Sequence, residues 1–419
     1  MTIFDVDSDS DSEETIRPEP HHLTYSRVEL LNLNSDTNSL PDLENNIIKI
    51  HQDIAHIILP FRHYGENNNE SKDDENESVA KMKLEIMSNM ADLELNDQII
   101  LIVSLLKVTP KKVQKLQSVI EALEETLRTE FPNCKAYPYG STSSGFAFED
   151  CDLDVFIDLG LCSLEDIAEV NRSDQQDRTR LMANILRREY RFRSATPIVN
   201  ARIPIVKIQD RKTGIHCDVN CSCGMGVKNS KFLKFCGLYD ERVDQLVSFV
   251  KLFAIKYDLI GRGPGDHLNS YTVVLMVLFF LQRQNILPSV EVLQSNIDED
   301  LCCGWNFAFN EEYVMVKGNT SNVLSLLVNL FSFYINFPFK TQIICPLLGK
   351  PVKKYNLKYS YDLPDVLSTS PSFGKKKDKL ELNKCLVVQD PFELTKNVSS
   401  SVSEHSLGKT ILSIRHELI

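Results

Sequence analysis

Acidic and apolar residues alternate in one short stretch, and this stretch constrains the fold more than any other feature of the chain. Asp152 and Asp154 flank Leu153, and a strongly apolar run then continues to Leu159. On a β-strand, residues two apart point to the same face, so the two carboxylates lie together while Leu153 enters a core. Adjacent carboxylates repel one another unless a divalent cation lies between them. The pattern therefore predicts a strand with a metal-binding face.

Two further motifs belong to the same region. Gly140-Ser141 follows a strand-like stretch and opens a turn, where backbone N–H groups and a hydroxyl can face an anion. A third acid, Asp218, lies in an alternating strand at residues 214–219. Three carboxylates beside a phosphate-holding turn are typical of two-metal phosphoryl or nucleotidyl transfer.

Length and charge distribution frame this site. A chain of 419 residues exceeds the size at which one core keeps growing, so two domains with tails are expected. The net charge is -12, but residues 1–20 and 66–77 together carry -11, which leaves the remaining body close to neutral. Nucleic acid is therefore not excluded as a partner. Basic clusters at residues 107–115, 228–234 and 375–379 fit either an RNA backbone or a solvated face.

Periodicity predicts a mixed sheet followed by helices. A Thr109 N-cap with proline at the first turn opens a helix through Arg128. Strands are predicted at 135–139, 153–159, 198–208 and 214–219, and further helices at about 179–190, 240–257, 270–284, 288–294 and 323–335.

The apolar stretch at 273–281 is too short to span a bilayer, so no membrane association is expected. The acidic start favours an intracellular protein, cytoplasmic or nuclear, over a secreted or mitochondrial one.

These motifs resemble those of the noncanonical poly(A) polymerases and terminal uridylyltransferases, within the DNA polymerase β-type nucleotidyltransferases. The resemblance covers about residues 113–400 and includes four later segments, at 227–230, 249–254, 268–276 and 389–397. Within the family, the sequences at 151–158 and 269–271 look most like those of the speckle-type members and their insect relatives.

The resemblance implies an α/β + α fold, in which a polymerase β-like sheet domain and a helical poly(A)-polymerase-associated domain enclose a cleft. It places the nucleotidyltransferase domain at 113–228 and the helical domain at 229–400. Residues 79–112 are expected to form helices that pack on the helical domain, and 401–419 to form a C-terminal tail. Residues 1–78 read as a mostly disordered acidic region that offers a docking segment for a protein partner.

The family roles transfer to single positions of this sequence. Asp152, Asp154 and Asp218 would hold two Mg²⁺ or Mn²⁺ ions. Gly140 and Ser141 would contact the nucleotide phosphates, and Asn229 the ribose 2′-hydroxyl. The remaining nucleotide contacts implied are Lys251 and Ser270 on phosphates, Tyr271 stacked on the base, and Asp390, Glu393 and Lys396 in the base-reading segment.

Two departures keep the base preference open. Where the family usually has a second lysine, this chain has Ile255 followed by Lys256, and a one-residue offset turns a helical side chain by about 100°. Lys396 stands where uridylyltransferases often carry histidine. The resemblance thus implies transfer of UMP or AMP from UTP or ATP to RNA 3′ ends.

Other interpretations remain. The chain fits a related enzyme with another acceptor, such as a 2′-5′ oligoadenylate synthetase or a tRNA end-adding enzyme, or a catalytically silent RNA-binding scaffold. The intact acidic triad favours an enzyme over the scaffold. A cluster of His216, Cys217, Cys221 and Cys223 suggests zinc, but its spacing favours buried reduced thiols.

Overall fold

The computed structural model describes residues 93–161, 171–261, 266–316, 318–359 and 380–418. The predictions for the acidic region 1–78, for residues 79–92 and for the basic cluster 375–379 lie outside the described residues. Within the described part of the chain, no helix combines the length and apolar character needed to cross a bilayer.

The first half of the fold is a five-stranded mixed sheet backed by two long helices. The strands follow the order β1-β2-β5-β4-β3; β2 and β5 are parallel, and the other neighbours are antiparallel. Apolar side chains from one face of the sheet pack with α2 and α4 into a cluster that we call the sheet core. The elements are α2 (Pro110–Arg128), β1 (Lys135–Tyr139), α3 (Ser141–Ser144), β2 (Leu153–Asp158), α4 (Arg172–Arg188), β3 (Phe192–Ile198), β4 (Ile205–Asp210) and β5 (His216–Asn220).

The second half is mainly helical and has its own apolar cluster, the helical core. The early helix α1 (Leu95–Leu106) also belongs to it, because Ile99, Ile102 and Val103 are buried there. The other elements are α5 (Met225–Tyr239), α6 (Glu241–Lys256), α7 (Ser270–Arg283), α8 (Val290–Gln294), β6 (Leu301–Cys302), β7 (Trp305–Asn306), α9 (Val323–Ile335), β8 (Gln342–Ile343), β9 (Val352–Lys353), α10 (Lys354–Tyr359) and α11 (Glu404–Leu418).

Most of the predicted elements are present, and the differences have physical causes. The stretch 198–208, predicted as one strand, contains the end of β3 and most of β4. Pro197 argued against a strand at β3, because proline cannot donate a ladder hydrogen bond. It is tolerated there because β3 is an edge strand. The helix predicted from about 179 begins at Arg172, where the Asn171 side chain caps it. Its first turns are polar and exposed, so they carry no apolar period.

Two other boundaries differ from expectation. Pro288 precedes α8 and does not form its first turn, because Ser289 is the N-cap and accepts a hydrogen bond from Val292 N. Residues 404–418, expected as a tail, form α11, which packs against α9 and buries Ile414.

Candidate functional site

Asp154 and Asp218 lie side by side, because they are register partners on the parallel strands β2 and β5. Their neighbours Leu153 and Cys217 are buried in the sheet core. Since side chains alternate along a strand, both acids point to the opposite face of the sheet. Asp152, one residue before β2, shares this face by the same alternation and is exposed.

The negative charge of the carboxylates of Asp152, Asp154 and Asp218 is only partly compensated by nearby positive charge. The pKa of Asp154 is raised to about 7, chiefly by burial and then by the carboxylates of Asp218 and Asp152, while Lys207 acts in the opposite direction. Lys207 lies across from Asp218 on β4, and its Nζ is 3.2 Å from Asp218 Oδ2. A raised pKa on a half-buried carboxyl is the signature of a site prepared for an external cation or a proton.

The chemistry of this set fits Mg²⁺ or Mn²⁺, which prefer carboxylate oxygens. The pKa of Asp154 stays raised although Lys207 acts to lower it, in keeping with a site where a divalent ion would neutralise further negative charge. Among the described residues, no three His, Cys, Asp or Glu side chains are grouped closely enough to form a ready-made metal site. The carboxylates of Asp152, Asp154 and Asp218 are therefore less closely grouped here than in a formed metal site.

The Gly140 turn is built around Asp154. Gly140 has φ +73°, and a Cβ added there would lie 2.3 Å from Asp154 Oδ2, so any side chain would displace the carboxylate. Gly140 N donates a hydrogen bond to Ser230 Oγ at 2.7 Å, and that hydroxyl donates to Gly226 O at 2.8 Å. Ser141 opens the short helix α3 and is half-buried. The predicted phosphate turn and the acidic pair are thus in direct contact.

Helix α5 connects this turn to the rest of the site. The Oδ1 atom of Asn229 is buried and has no hydrogen-bond partner among the described residues. Its neighbour Ser230 contacts the Gly140 turn, and Phe232 packs edge-on against Phe392 with ring centroids 5.1 Å apart. A buried amide oxygen without a partner is costly in a folded protein and marks a place for a ligand or water.

The predicted base-side residues form a second group. Asp390 is fully buried; its Oδ1 accepts hydrogen bonds from Phe392 N and Glu393 N, both at 3.0 Å. Tyr271 donates its hydroxyl to Asp390 Oδ2 at 3.3 Å. Lys396 Nζ lies 3.6 Å from Asp390 Oδ2, 3.3 Å from Glu393 Oε2 and 6.0 Å from the centre of the Tyr271 ring. The structure therefore brings together these four predicted side chains.

Lys251 takes a different position. It is 5% exposed, its ammonium donates to the carbonyl of Phe146, and it lies 5.1 Å from the centre of the Phe148 ring. Burial lowers the pKa of Lys251 to about 8, with a further contribution from Lys107. Lys251 thus supports the loop that follows the Gly140 turn. Ser270, another predicted contact, is exposed at the start of α7. Lys256, offset by one residue from the family's second lysine, lies 4.9 Å from the Tyr257 ring centre.

Sequence reasoning missed Ser230 and Arg202. Ser230 follows the predicted ribose residue directly, and a hydroxyl next to Asn229 at the start of a helix was the available signal. Arg202 lies in the β3–β4 connection and pairs with Glu393, which joins the sheet to the base-side group. The 191-residue separation of that pair leaves no local pattern to detect.

The cysteines near β5 are mostly interior. Cys217, Cys221 and Cys223 are buried, whereas His216 is exposed on the opposite side of the strand from Cys217. Strand alternation thus separates the histidine from Cys217, in keeping with the buried-thiol interpretation.

Comparison with known proteins agrees with this geometry. Residues 95–237 match the family described as the central palm domain of mitochondrial-like poly(A) RNA polymerase. The chain is 27% identical to the speckle targeted PIP5K1A-regulated poly(A) polymerase of Danio rerio, over 78% of this chain and 45% of the relative. It is 29% identical to terminal uridylyltransferase 7 of Homo sapiens, over 69% of this chain and 18% of the relative. The chain thus spans less than half the length of these two curated relatives.

Solved structures show the same fold. A crystal structure of mtPAP in complex with ATPγS superposes with a TM-score of 0.66 at 22% identity, covering 82% of this chain and 69% of the other. The Cid1 poly(U) polymerase matches with a TM-score of 0.61 at 22% identity, covering 78% and 93%. The α/β + α fold predicted from the sequence is confirmed, and these two structures share it. Residues 95–237 thus match the palm-domain model, and the chain is similar over most of its length to noncanonical poly(A) and uridylyl polymerases.

Proposed function

We propose that this protein is a template-independent RNA nucleotidyltransferase that adds UMP or AMP from UTP or ATP to RNA 3′ ends. The observation that carries the proposal is the contact of the Gly140 turn with Asp154, beside Asp218. This contact supports a site in which the Gly140 turn holds phosphate next to Asp154 and its neighbour Asp218. The match of residues 95–237 to a poly(A) polymerase palm domain and the named activities of the relatives, poly(A) polymerase and uridylyltransferase, support the same reaction class.

In this proposal the nucleotide lies between the sheet and the helical core. Backbone groups of the Gly140 turn and the Ser141 hydroxyl orient the triphosphate, and Asn229 Oδ1 accepts from the ribose 2′-hydroxyl, which selects ribonucleotides. Asp152, Asp154 and Asp218 would hold Mg²⁺ or Mn²⁺. When bound, such ions lower the pKa of the RNA 3′-hydroxyl and stabilise the charge on the departing pyrophosphate.

The base-side group supports a role in base choice. An ammonium has three N–H donors and no acceptor. Lys396 Nζ lies 6.0 Å from the centre of the Tyr271 ring, on which we place the base. Uracil presents the O4 acceptor at its far edge and adenine presents the N6 donor. Lys396 therefore favours UTP over ATP, by about 1–3 kcal/mol, the usual effect of an unpaired buried polar group.

The test of the reaction uses purified protein, a labelled RNA oligonucleotide and each of the four ribonucleoside triphosphates separately, with Mg²⁺ or Mn²⁺. We expect extension of RNA with a free 3′-hydroxyl and none of RNA that ends in a 3′-deoxynucleotide. Extension of the 3′-deoxy acceptor would indicate 2′-5′ chemistry. RNA binding without extension under every condition would favour the scaffold.

The test of base choice is competitive incorporation of UTP and ATP by the wild type and by Lys396→Ala. We expect a UTP preference that falls in the variant. A wild type that strongly prefers ATP, or an unchanged preference in Lys396→Ala, would remove this lysine from base reading.

The compartment and partners are also part of the proposal. The relatives are named as speckle targeted in one case and mitochondrial in another, and we propose an intracellular location for this chain. RNA and a ribonucleoside triphosphate are its proposed ligands, and the acidic region 1–78 its proposed docking segment for a protein partner.

A further inference from the structure

Two cysteines that the proposed reaction does not use meet at the boundary between the sheet and the helical core. Cys223 lies in the short connection between β5 and α5 and is buried. Cys303 lies in the hairpin of β6 and β7 and is half-buried. Their Sγ atoms are 3.8 Å apart, although the residues are 80 positions apart in sequence. The fold therefore holds two thiols in van der Waals contact.

The backbone at Cys303 is unusual for this residue type. Cys303 and Gly304 form the two-residue loop between β6 and β7, with φ of +52° and +72°. Positive φ at both central positions defines a type I′ turn, where asparagine, aspartate or glycine is preferred at the first position. A cysteine there accepts backbone strain, and such strain tends to occur where the side chain has a role.

The contact joins elements next to the proposed nucleotide site. Cys223 is five residues after Asp218 and two before the start of α5. That helix carries Asn229 and Ser230, and its Lys228 already pairs with Asp300 of the hairpin, Nζ to Oδ2 at 2.5 Å. A covalent link between Cys223 and Cys303 would therefore act directly on the first turn of α5.

Three of the other described cysteines are placed differently. Cys236 is buried within the helical core, and the thiols of Cys134 and Cys345 contact oxygen acceptors, Glu124 O and Gln389 Oε1. Their positions favour packing over thiol chemistry.

We propose that Cys223 and Cys303 form a reversible disulfide under mild oxidation, with hydrogen peroxide as the oxidant, and that this bond lowers nucleotidyl transfer. Peroxide converts the more accessible thiol, Cys303, to a sulfenic acid; an S–O bond forms, the O–O bond breaks and one water leaves. The Cys223 sulfur then attacks that sulfur, the S–S bond forms, and the S–O bond breaks to release a second water. Two thiols and one peroxide give one disulfide and two waters, and a dithiol reductant reverses the change.

The loss of transfer follows from the position of the bond. Drawing the two sulfurs from contact to bonding distance moves the β5–α5 connection relative to the hairpin. The first turn of α5 moves with it and displaces Ser230 from Gly140. Only this effect on transfer rests on the proposed function; formation of the disulfide does not.

The first experiment maps the bond without measuring activity. The full chain is treated with hydrogen peroxide, blocked with N-ethylmaleimide, digested and analysed by mass spectrometry with and without prior reduction. We expect a reducible link between Cys223 and Cys303, absent in Cys223→Ser and Cys303→Ser. Cys303→Asn, which suits the type I′ turn, repeats the second variant in a form that folds readily. Cys221→Ser and Cys302→Ser are matched controls at neighbouring cysteines, and we expect the link between Cys223 and Cys303 to form in both.

Two results of the mapping would overturn the proposal. One is a link that joins Cys302 to Cys303, and the other is wild-type protein whose Cys223 and Cys303 remain thiols at peroxide levels that oxidise exposed cysteines.

The second experiment measures RNA extension before oxidation, after oxidation and after dithiothreitol. We expect the oxidised wild type to lose about tenfold in rate, in keeping with a small displacement at a site, and to recover on reduction. Cys303→Asn should extend RNA at an unchanged rate under all three conditions. A mapped link with undiminished extension overturns the inhibitory role. A mapped link in protein that never extends RNA counts against the proposed function and leaves the disulfide established.

Discussion

Asp154 and Asp390 are both acids of the proposed nucleotide site, but the protein treats them in opposite ways. Asp390 is fully buried and accepts two backbone N–H groups and the Tyr271 hydroxyl, with Lys396 beside it. Asp154 lies against two other acids, and its pKa is raised to about 7, with burial as the largest cause. The first carboxylate holds structure together, whereas the second stores electrostatic repulsion that a bound cation would relieve.

The largest expected effect is on RNA extension when Asp154 or Asp218, the two adjacent acids that repel one another, is replaced. Asp154→Asn and Asp218→Asn should each reduce RNA extension by at least about 100-fold, because a metal ligand contributes several kcal/mol of charge stabilisation. The measurement is primer extension with Mg²⁺. Asp158→Asn, at the other end of β2, is the matched control and should extend RNA nearly normally. Near-normal extension by Asp154→Asn would show that the acidic pair is not the metal site.

The next largest effect is on the free energy of unfolding when Asp390, the acid that accepts hydrogen bonds, is replaced. Asp390→Ala leaves two backbone N–H groups and the Tyr271 hydroxyl without their acceptor, so we expect it to lower the free energy of unfolding by about 2–4 kcal/mol. Asp154→Ala removes repulsion and should leave that free energy unchanged or higher. Urea unfolding of both variants measures the contrast. Equal destabilisation by the two substitutions would break the distinction between the two acids.

A smaller effect separates contact from backbone strain at the Gly140 turn. Gly140 and Gly145 have φ of +73° and +86°, but an added Cβ meets Asp154 only at Gly140 and nothing within 4 Å at Gly145. We expect Gly145→Ala to cost about 1–2 kcal/mol of stability through φ alone. Gly140→Ala should cost more and also reduce extension, because the carboxylate must move. Equal effects of both substitutions would mean that the contact with Asp154 does not matter.

The smallest effect is a pH dependence. The folded-state pKa of Asp154 lies above its ordinary value of 3.8, so the folded protein binds the proton more tightly than the unfolded chain. The contribution of Asp154 to stability is therefore present below about pH 4 and is lost as the pH rises through about 7. We expect this loss to be about 1–2 kcal/mol after allowance for solvent screening. Urea unfolding in EDTA, compared between wild type and Asp154→Asn, isolates it; parallel pH profiles would contradict the raised pKa.

Local pattern was sufficient for much of the site. Alternation around Leu153 placed Asp152 and Asp154 on one face, and the capped, amphipathic segment gave α2 its observed bounds. Periodicity failed where burial did not alternate, as at β3 with its edge proline and at the polar start of α4.

Short-range spacing and side-chain chemistry were enough to predict which strands carry the acids, where glycine is needed and which family the motifs resemble. The position of Asp218 beside Asp154, the turn of Lys251 to the Phe146 carbonyl and the reach of Arg202 to Glu393 became visible in the folded protein alone. The same holds for the contact of Cys223 with Cys303. Such pairings arise from the packing of elements far apart in the chain, and no local period encodes them.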